Sequence, residues 1–247
     1  APVLKHGLFP LSEILNAVMD IGTHGMGGPV EIEFAANLRT NPGRPKEFAF
    51  LQMRPLALSR EMAELDIGDV DNGGVVCSCS NVLGNGRIGG IHHLVVVDFH
   101  RFDRARSHDA AAEVAQYNAE LTAARTPYIL VGVGRWGSTD PWLGIPVTWD
   151  QIAGARVIVE SGFKDFKVTP SQGTHFFQNL TSFQVGYFTV NPHLHDGFVD
   201  WDWLAAQPAL HEGEFVRHLR FDSPIEVKMN GKNRHGIIVK PVANGAP

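Results

Sequence analysis

Apolar and polar positions along this chain follow two different periods, and the period changes with place. Over 11–21 (LSEILNAVMDI), Leu11, Ile14, Leu15, Val18 and Met19 recur at helical spacing. That pattern predicts a helix, stopped by Gly22 and Gly25. Two short runs follow, 30–35 (VEIEFA) and 47–54 (EFAFLQMR). Both read as strands, and the Asn-Pro-Gly stretch between them is turn chemistry, so they predict a β-hairpin with a long loop. Residues 57–74 are a mixed connector in which a domain boundary is expected. Beyond it, apolar runs recur at 94–99, 128–133, 156–160, 183–190, 225–229 and 236–240. Their shortness and their β-branched and aromatic content predict strands. A helix is expected over 108–124 with Ser107 as its N-cap, and a short one near 199–206. The fold class expected is α+β: a hairpin segment over 1–57, then a strand-rich mixed α/β domain over 75–247.

Composition narrows the function. Of 247 residues, 44% are hydrophobic and 19% charged, so the chain buries a core and is not disordered. Lys and Arg total 21 against 26 Asp and Glu, a net charge of −5. That balance argues against a general nucleic-acid binder or an anionic-membrane binder, both of which need positive surplus. No apolar run approaches the ~18 residues of a membrane span, and Ala1 to Pro10 lacks the apolar core of a signal peptide. Two cysteines, Cys77 and Cys79, are too few for a disulfide scaffold and read as small, half-buried residues. A cytoplasmic protein with a small-molecule substrate is the expectation.

The hairpin carries the clearest candidate chemistry. Along a strand, alternate residues share a face. Glu31 and Glu33 therefore stand together, about 6.6 Å apart by strand rise. On the second strand Phe48, Phe50, Gln52 and Arg54 share a face. Pairing the strands sets two carboxylates near an amide and a guanidinium. Carboxylate and amide oxygens are hard ligands for Mg²⁺, and Arg forks onto phosphate oxygens. A solvated strand face with a surface Glu–Arg pair has the same pattern.

The letters say more than the pattern. The segment GGPVEIEFAANL…EFAFLQMRPLA resembles the end of the nucleotide-binding ATP-grasp domain of the phosphoenolpyruvate synthase and pyruvate phosphate dikinase family. That family closes its ATP site with an acidic strand followed by one ending L-Q-x-R-P. The resemblance, covering about residues 12–57, implies Glu33 and Gln52 as metal ligands. It also implies Gln52 and Arg54 facing metal and phosphates, with Glu31 at a further acidic position. It implies Mg²⁺–ATP-dependent phosphoryl transfer in full-length relatives, with Arg54 steadying the transferred group. An ATP-grasp site also needs an upstream subdomain, and Lys5 is the one Lys or Arg before the hairpin. The chain is accordingly expected to be the C-terminal piece of a longer protein, or a relative without the front, with the missing ATP-grasp portion as partner.

The remainder is harder to read. YILVGVGRWGSTDPWLGIPVTW and VTPSQGTHFFQNLTSFQVGYFTVNP resemble the C-terminal region of proteins that carry this nucleotide domain, a region without an established role. Gly132-Val-Gly134-Arg-Trp-Gly137 follows an apolar strand and reads first as a glycine-rich turn beside Trp136 and Trp142; the second reading is a phosphate or carboxylate held by backbone N–H groups and Arg135. The following sequence has two prolines and no amphipathic helix, so a dinucleotide site is not expected. GGIHH, with His92 and His93, resembles the swivelling phosphohistidine segment of the same family but lacks its Thr-Ser before the histidine and its Ala after. His193 and His195 form an H-x-H, which on an extended segment puts two imidazoles on one side. With His92, Asp98, Glu160 or Asp196 brought in by folding, they make an alternative divalent site such as Zn²⁺. The rival function is then a metal-dependent hydrolase of an ester, lactone or phosphoester, with Ser171 and His175 as a weaker nucleophile–base pair. A non-catalytic accessory domain is the third reading.

Overall fold

A computed structural model describes residues 9–26, 30–38, 44–55, 67–68, 71–138, 140, 142–163, 180 and 184–242. The chain divides into two compact units, Ala1–Ser59 and Arg60–Pro247.

In the first unit, helix α1 (Leu11–Met26) runs straight through Gly22 and Gly25, contrary to the expected stop. The reason at Gly22 is packing. A Cβ there would lie 2.5 Å from Met53 Sδ and 2.9 Å from Val30 Cγ2, so glycine lets the helix close onto the hairpin. Strand β1 (Val30–Asn37) pairs antiparallel with β2 (Glu47–Pro55). The register places Val30 opposite Pro55, Glu31 opposite Arg54, Ile32 opposite Met53 and Glu33 opposite Gln52. It then slips by one, so that Phe34 meets Phe50 and Ala36 meets Phe48. Leu51 is the extra residue of a bulge, which bends the strand and re-aims side chains. The slip takes Phe48 and Phe50 off the face of Gln52 and Arg54, correcting the simple alternation. Phe48 instead stacks on Phe34, with ring centroids 5.3 Å apart.

The second unit is built on one ten-stranded mixed sheet, with spatial order β11-β3-β14-β13-β5-β6-β9-β10-β4 and β12 paired to β13. Its strands are β3 (Val75–Cys79), β4 (Val82–Leu83), β5 (Gly86–Val97), β6 (Tyr128–Val133), β9 (Ala155–Ser161), β10 (Gly186–Val190), β11 (Phe198–Val199), β12 (Ala209–Glu212), β13 (Val216–Asn230) and β14 (His235–Val239). A separate two-residue pair, β7 (Arg135–Trp136) and β8 (Gly144–Ile145), lies between β6 and β9 in sequence. Strands β5, β6, β9 and β10 are parallel neighbours; the other pairings of the large sheet are antiparallel. Parallel strands are covered on both faces and read as continuous apolar runs, which is the pattern of LVVV, YILVGV and VIV. One face packs Leu94, Val96, Ile129, Val131, Val157 and Phe188 with Cys77 and Cys79. The other packs Val95, Leu130 and Ile158 under helix α2 (Ser107–Ala123), through Ala110, Val114 and Leu121.

Both cysteines are free and fully buried rather than half-buried. Burial pushes the Cys77 thiol well above its ordinary value and Cys79 up to about 12, so neither offers a thiolate. Ser107 is the first helical residue, and its hydroxyl is buried without a partner. The local cap is Asp103, which accepts from Ala105 N–H at 2.9 Å in the preceding 3₁₀ turn. Helix α3 (Trp201–Ala206) is capped by Asp200, which accepts from Trp203 N–H at 3.0 Å. Two long-range clamps hold these pieces. The Glu113 carboxylate accepts from the backbone N–H groups of Glu214, Phe215 and Val216. Arg217 donates to the carbonyls of Leu204, Ala205 and Gln207 at the end of α3.

Candidate functional site

The hairpin register decides where the candidate side chains stand. Directly opposed residues on an antiparallel pair share a face, with Cβ atoms about 4.5–5.5 Å apart. Glu31, Glu33, Gln52 and the Arg54 position therefore form one four-residue patch. The opposite face, through Val30 and Met53, is the one α1 covers. Glu31, Glu33 and Gln52 are all exposed. Among the described residues neither Glu33 nor Gln52 is engaged in a hydrogen bond or ion pair. The Arg54 backbone is placed opposite Glu31, and its side chain lies outside the described residues. As a donor set, two carboxylates and an amide oxygen match the hard-oxygen preference of Mg²⁺, and their spacing lets Glu33 and Gln52 reach one ion.

The glycine-rich turn of the second unit is built differently. A phosphate cradle needs unspent backbone N–H groups. Here Gly134 N–H donates to Ser161 O at 2.8 Å, Arg135 N–H to Leu143 O at 2.9 Å and Gly137 N–H to Ile145 O at 2.9 Å. Trp136 N–H goes to Glu160 Oε1 at 2.8 Å. The turn is thus no backbone cradle, and its indole covers Gly132, where a Cβ would fall 2.2 Å from the Trp136 ring. Glu160, fully buried, also accepts from the Tyr187 hydroxyl. Sequence reading singled out Glu160 only as a distant metal ligand, although a carboxylate ending an apolar run (RVIVE) was a visible signal. Tyr187 and Thr189 beside it carried no such signal.

Among the described residues the histidines do not gather into the alternative metal site. His193 falls in a 3₁₀ turn (Pro192–Leu194) and His195 is left-handed at φ 55°. The H-x-H is therefore not extended, and strand alternation does not set its two imidazoles on one side. Among the described residues no three His, Cys, Asp or Glu side chains stand as a metal site requires, so His92, His193 and His195 make no such group. Asp196 is occupied by the Ser80 hydroxyl, and Asp98 by His100 N–H at 2.9 Å and Arg101 at 3.2 Å. His175, Ser171 and the rest of 171–179 lie outside the described residues.

His92 and His93 leave β5 on opposite sides, as strand geometry requires. His92 Nδ1 is 3.0 Å from Phe221 O, while His93 Nδ1 meets His218 Nε2 at 2.9 Å. The rings of His211 and Tyr117 lie 5.7 Å from that of His218. Burial, then the neighbouring His93 and His211, drives His218 down to about 4. Burial, then Arg220 and His92, lowers His93 as well. Neutral imidazoles that share a hydrogen bond with each other are poorly placed as phosphoryl carriers, which need an exposed nucleophilic nitrogen.

An open cleft of about 330 Å³ lies beside Phe99, His100, Phe198 and Trp201, with Asp200 and Asp202. Asp200 is already engaged by Lys240 at 2.7 Å. No helix among the described residues is long and apolar enough to cross a membrane. Compared with protein-family models, curated proteins and solved structures, the chain has no match.

Proposed function

We propose that this chain is a module of a Mg²⁺–ATP-dependent phosphotransferase resembling pyruvate phosphate dikinase and phosphoenolpyruvate synthase. Its hairpin supplies one wall of the nucleotide site. The observation that carries the reading is the register: Glu33 opposite Gln52 and Glu31 opposite Arg54, on the face α1 leaves open. Glu33 and Gln52 hold the metal, Glu31 adds negative charge beside it, and Arg54 takes phosphate oxygens. Bound there, Mg²⁺ offsets the charge of the phosphates. The chain's own contribution is to fix carboxylate, amide and guanidinium on a paired strand, so that little reorganisation is needed when charge moves. The other wall, with its phosphate-gripping loop, comes from an ATP-grasp portion outside this sequence.

Calorimetric titration of ATP, with and without Mg²⁺, tests the reading. Binding that requires Mg²⁺ and falls at least tenfold in Glu33→Ala and in Gln52→Ala is the expected result. Absence of binding heat in the chain, and again after addition of an ATP-grasp front half, would overturn it and leave an accessory role.

A further inference from the structure

Six buried side-chain atoms among the described residues have no hydrogen-bond partner, and three of them belong to residues at or just beyond the carboxyl ends of neighbouring strands. Arg135 Nε lies just beyond the carboxyl end of β6, Ser161 Oγ ends β9, and Thr189 Oγ1 is the penultimate residue of β10. These strands are consecutive parallel neighbours. Unsatisfied buried groups are costly unless something else satisfies them.

Arg135 is the member with a chemical preference. Along β7 successive side chains point to opposite sides, so Arg135 leaves away from the Trp136 indole. Its Nε is sealed from water, and no described residue accepts from its guanidinium. Its backbone is fixed from two directions. Arg135 N–H donates to Leu143 O, and a Cβ on Gly144 would lie 2.0 Å from Arg135 O. Gly134, at φ 77°, has room for no Cβ either, with Gly144 Cα 2.7 Å away. The chain thus fixes the Arg135 backbone and leaves its guanidinium without an acceptor among the described residues, and the planar edge of such a group takes two oxygens of one anion side by side.

We propose that Arg135 is an oxyanion-binding residue for a small-molecule ligand bearing a carboxylate or phosphate, at the carboxyl ends of β6, β9 and β10. The site is independent of the hairpin.

The test follows the Arg135 Nε–H resonance by NMR while inorganic phosphate or acetate is added at constant ionic strength, with chloride as control. One probe is expected to shift the resonance saturably, and which one does so assigns the ligand as phosphorylated or carboxylic. Arg135→Gln is expected to weaken binding of that probe at least tenfold, read by thermal shift. Arg135→Lys, which keeps the charge but not the two-pronged edge, also weakens it, and it carries the test if the Gln variant does not fold. Glu33→Ala leaves this binding unchanged, which separates the site from the nucleotide reading. No saturable shift with either probe overturns the proposal, as does wild-type affinity in Arg135→Lys.

Discussion

The two units treat their polar residues in opposite ways. On the hairpin, Glu33 and Gln52 sit exposed on an uncovered face with nothing to hold. In the large sheet, polar side chains of similar type are consumed by the fold itself. Glu160 braces a turn, Glu113 collects three backbone N–H groups, and Arg217 closes the end of α3. A carboxylate is therefore informative about ligands only after its neighbours' hydrogen bonds have been counted. By that count the side chains of Glu33, Gln52 and Arg135 remain open among the described residues.

Substitutions sharpen the contrast, and the largest effects belong to the sheet. Gly144→Ala sets a Cβ against the Arg135 backbone, which cannot yield as a flexible side chain would. We expect loss of the folded state at ordinary temperature, visible by circular dichroism. Glu160→Ala strands Trp136 N–H and the Tyr187 hydroxyl, and a urea midpoint is expected to report a loss of about 3–5 kcal/mol. Equal stability in that variant would break the comparison.

A smaller effect is set by pH. Burial first, then neighbouring groups, lowers His218 to about 4 and lowers His93 as well, from an ordinary value near 6.5. The unfolded chain therefore binds more protons below that value. The His218 contribution is complete above about pH 6.5 and is lost as the pH falls towards about 4, and that of His93 falls in the same direction. The titratable and charged groups facing them are Arg220, His92, His211 and Glu120. Denaturation at about pH 7.5 and pH 5 should differ by about 1–2 kcal/mol more in the wild type than in His218→Gln. The smallest effect belongs to the hairpin. Glu33→Ala should change stability by no more than about 0.5 kcal/mol, as exposed positions do, while weakening the proposed Mg²⁺-dependent ATP binding at least tenfold.

Much of the scaffold was legible because its signals are local. The continuous apolar runs at 94–99, 128–133 and 156–160 became parallel strands, and the alternation of VEIEF and LQMR placed Glu31, Glu33, Gln52 and Arg54 on paired strands. What escaped depends on partners far along the chain. Gly22 resembled a stop until Met53 arrived to pack on it. Ser107 resembled a cap, but Asp103 took the role one turn earlier. The Phe48 and Phe50 side chains follow a bulge at Leu51 that no alternation rule foresees. The glycine-rich turn beside Trp136 was legible as a turn, but the acceptors that take up its N–H groups, Leu143, Ile145, Glu160 and Ser161, were not. The pairing of His93 with His218 spans 125 positions and left no mark on either stretch.

One feature of the sheet order bears on how the large unit assembles. Strand β14 lies between β3 and β13, so among the described residues the ladder joins β3, with β11 on its other edge, to β13 through β14. During synthesis Val75–Cys79 emerges long before residues 235–239, and that margin stays unpaired until they follow. An unpaired strand edge is a site of association while the unit is incomplete.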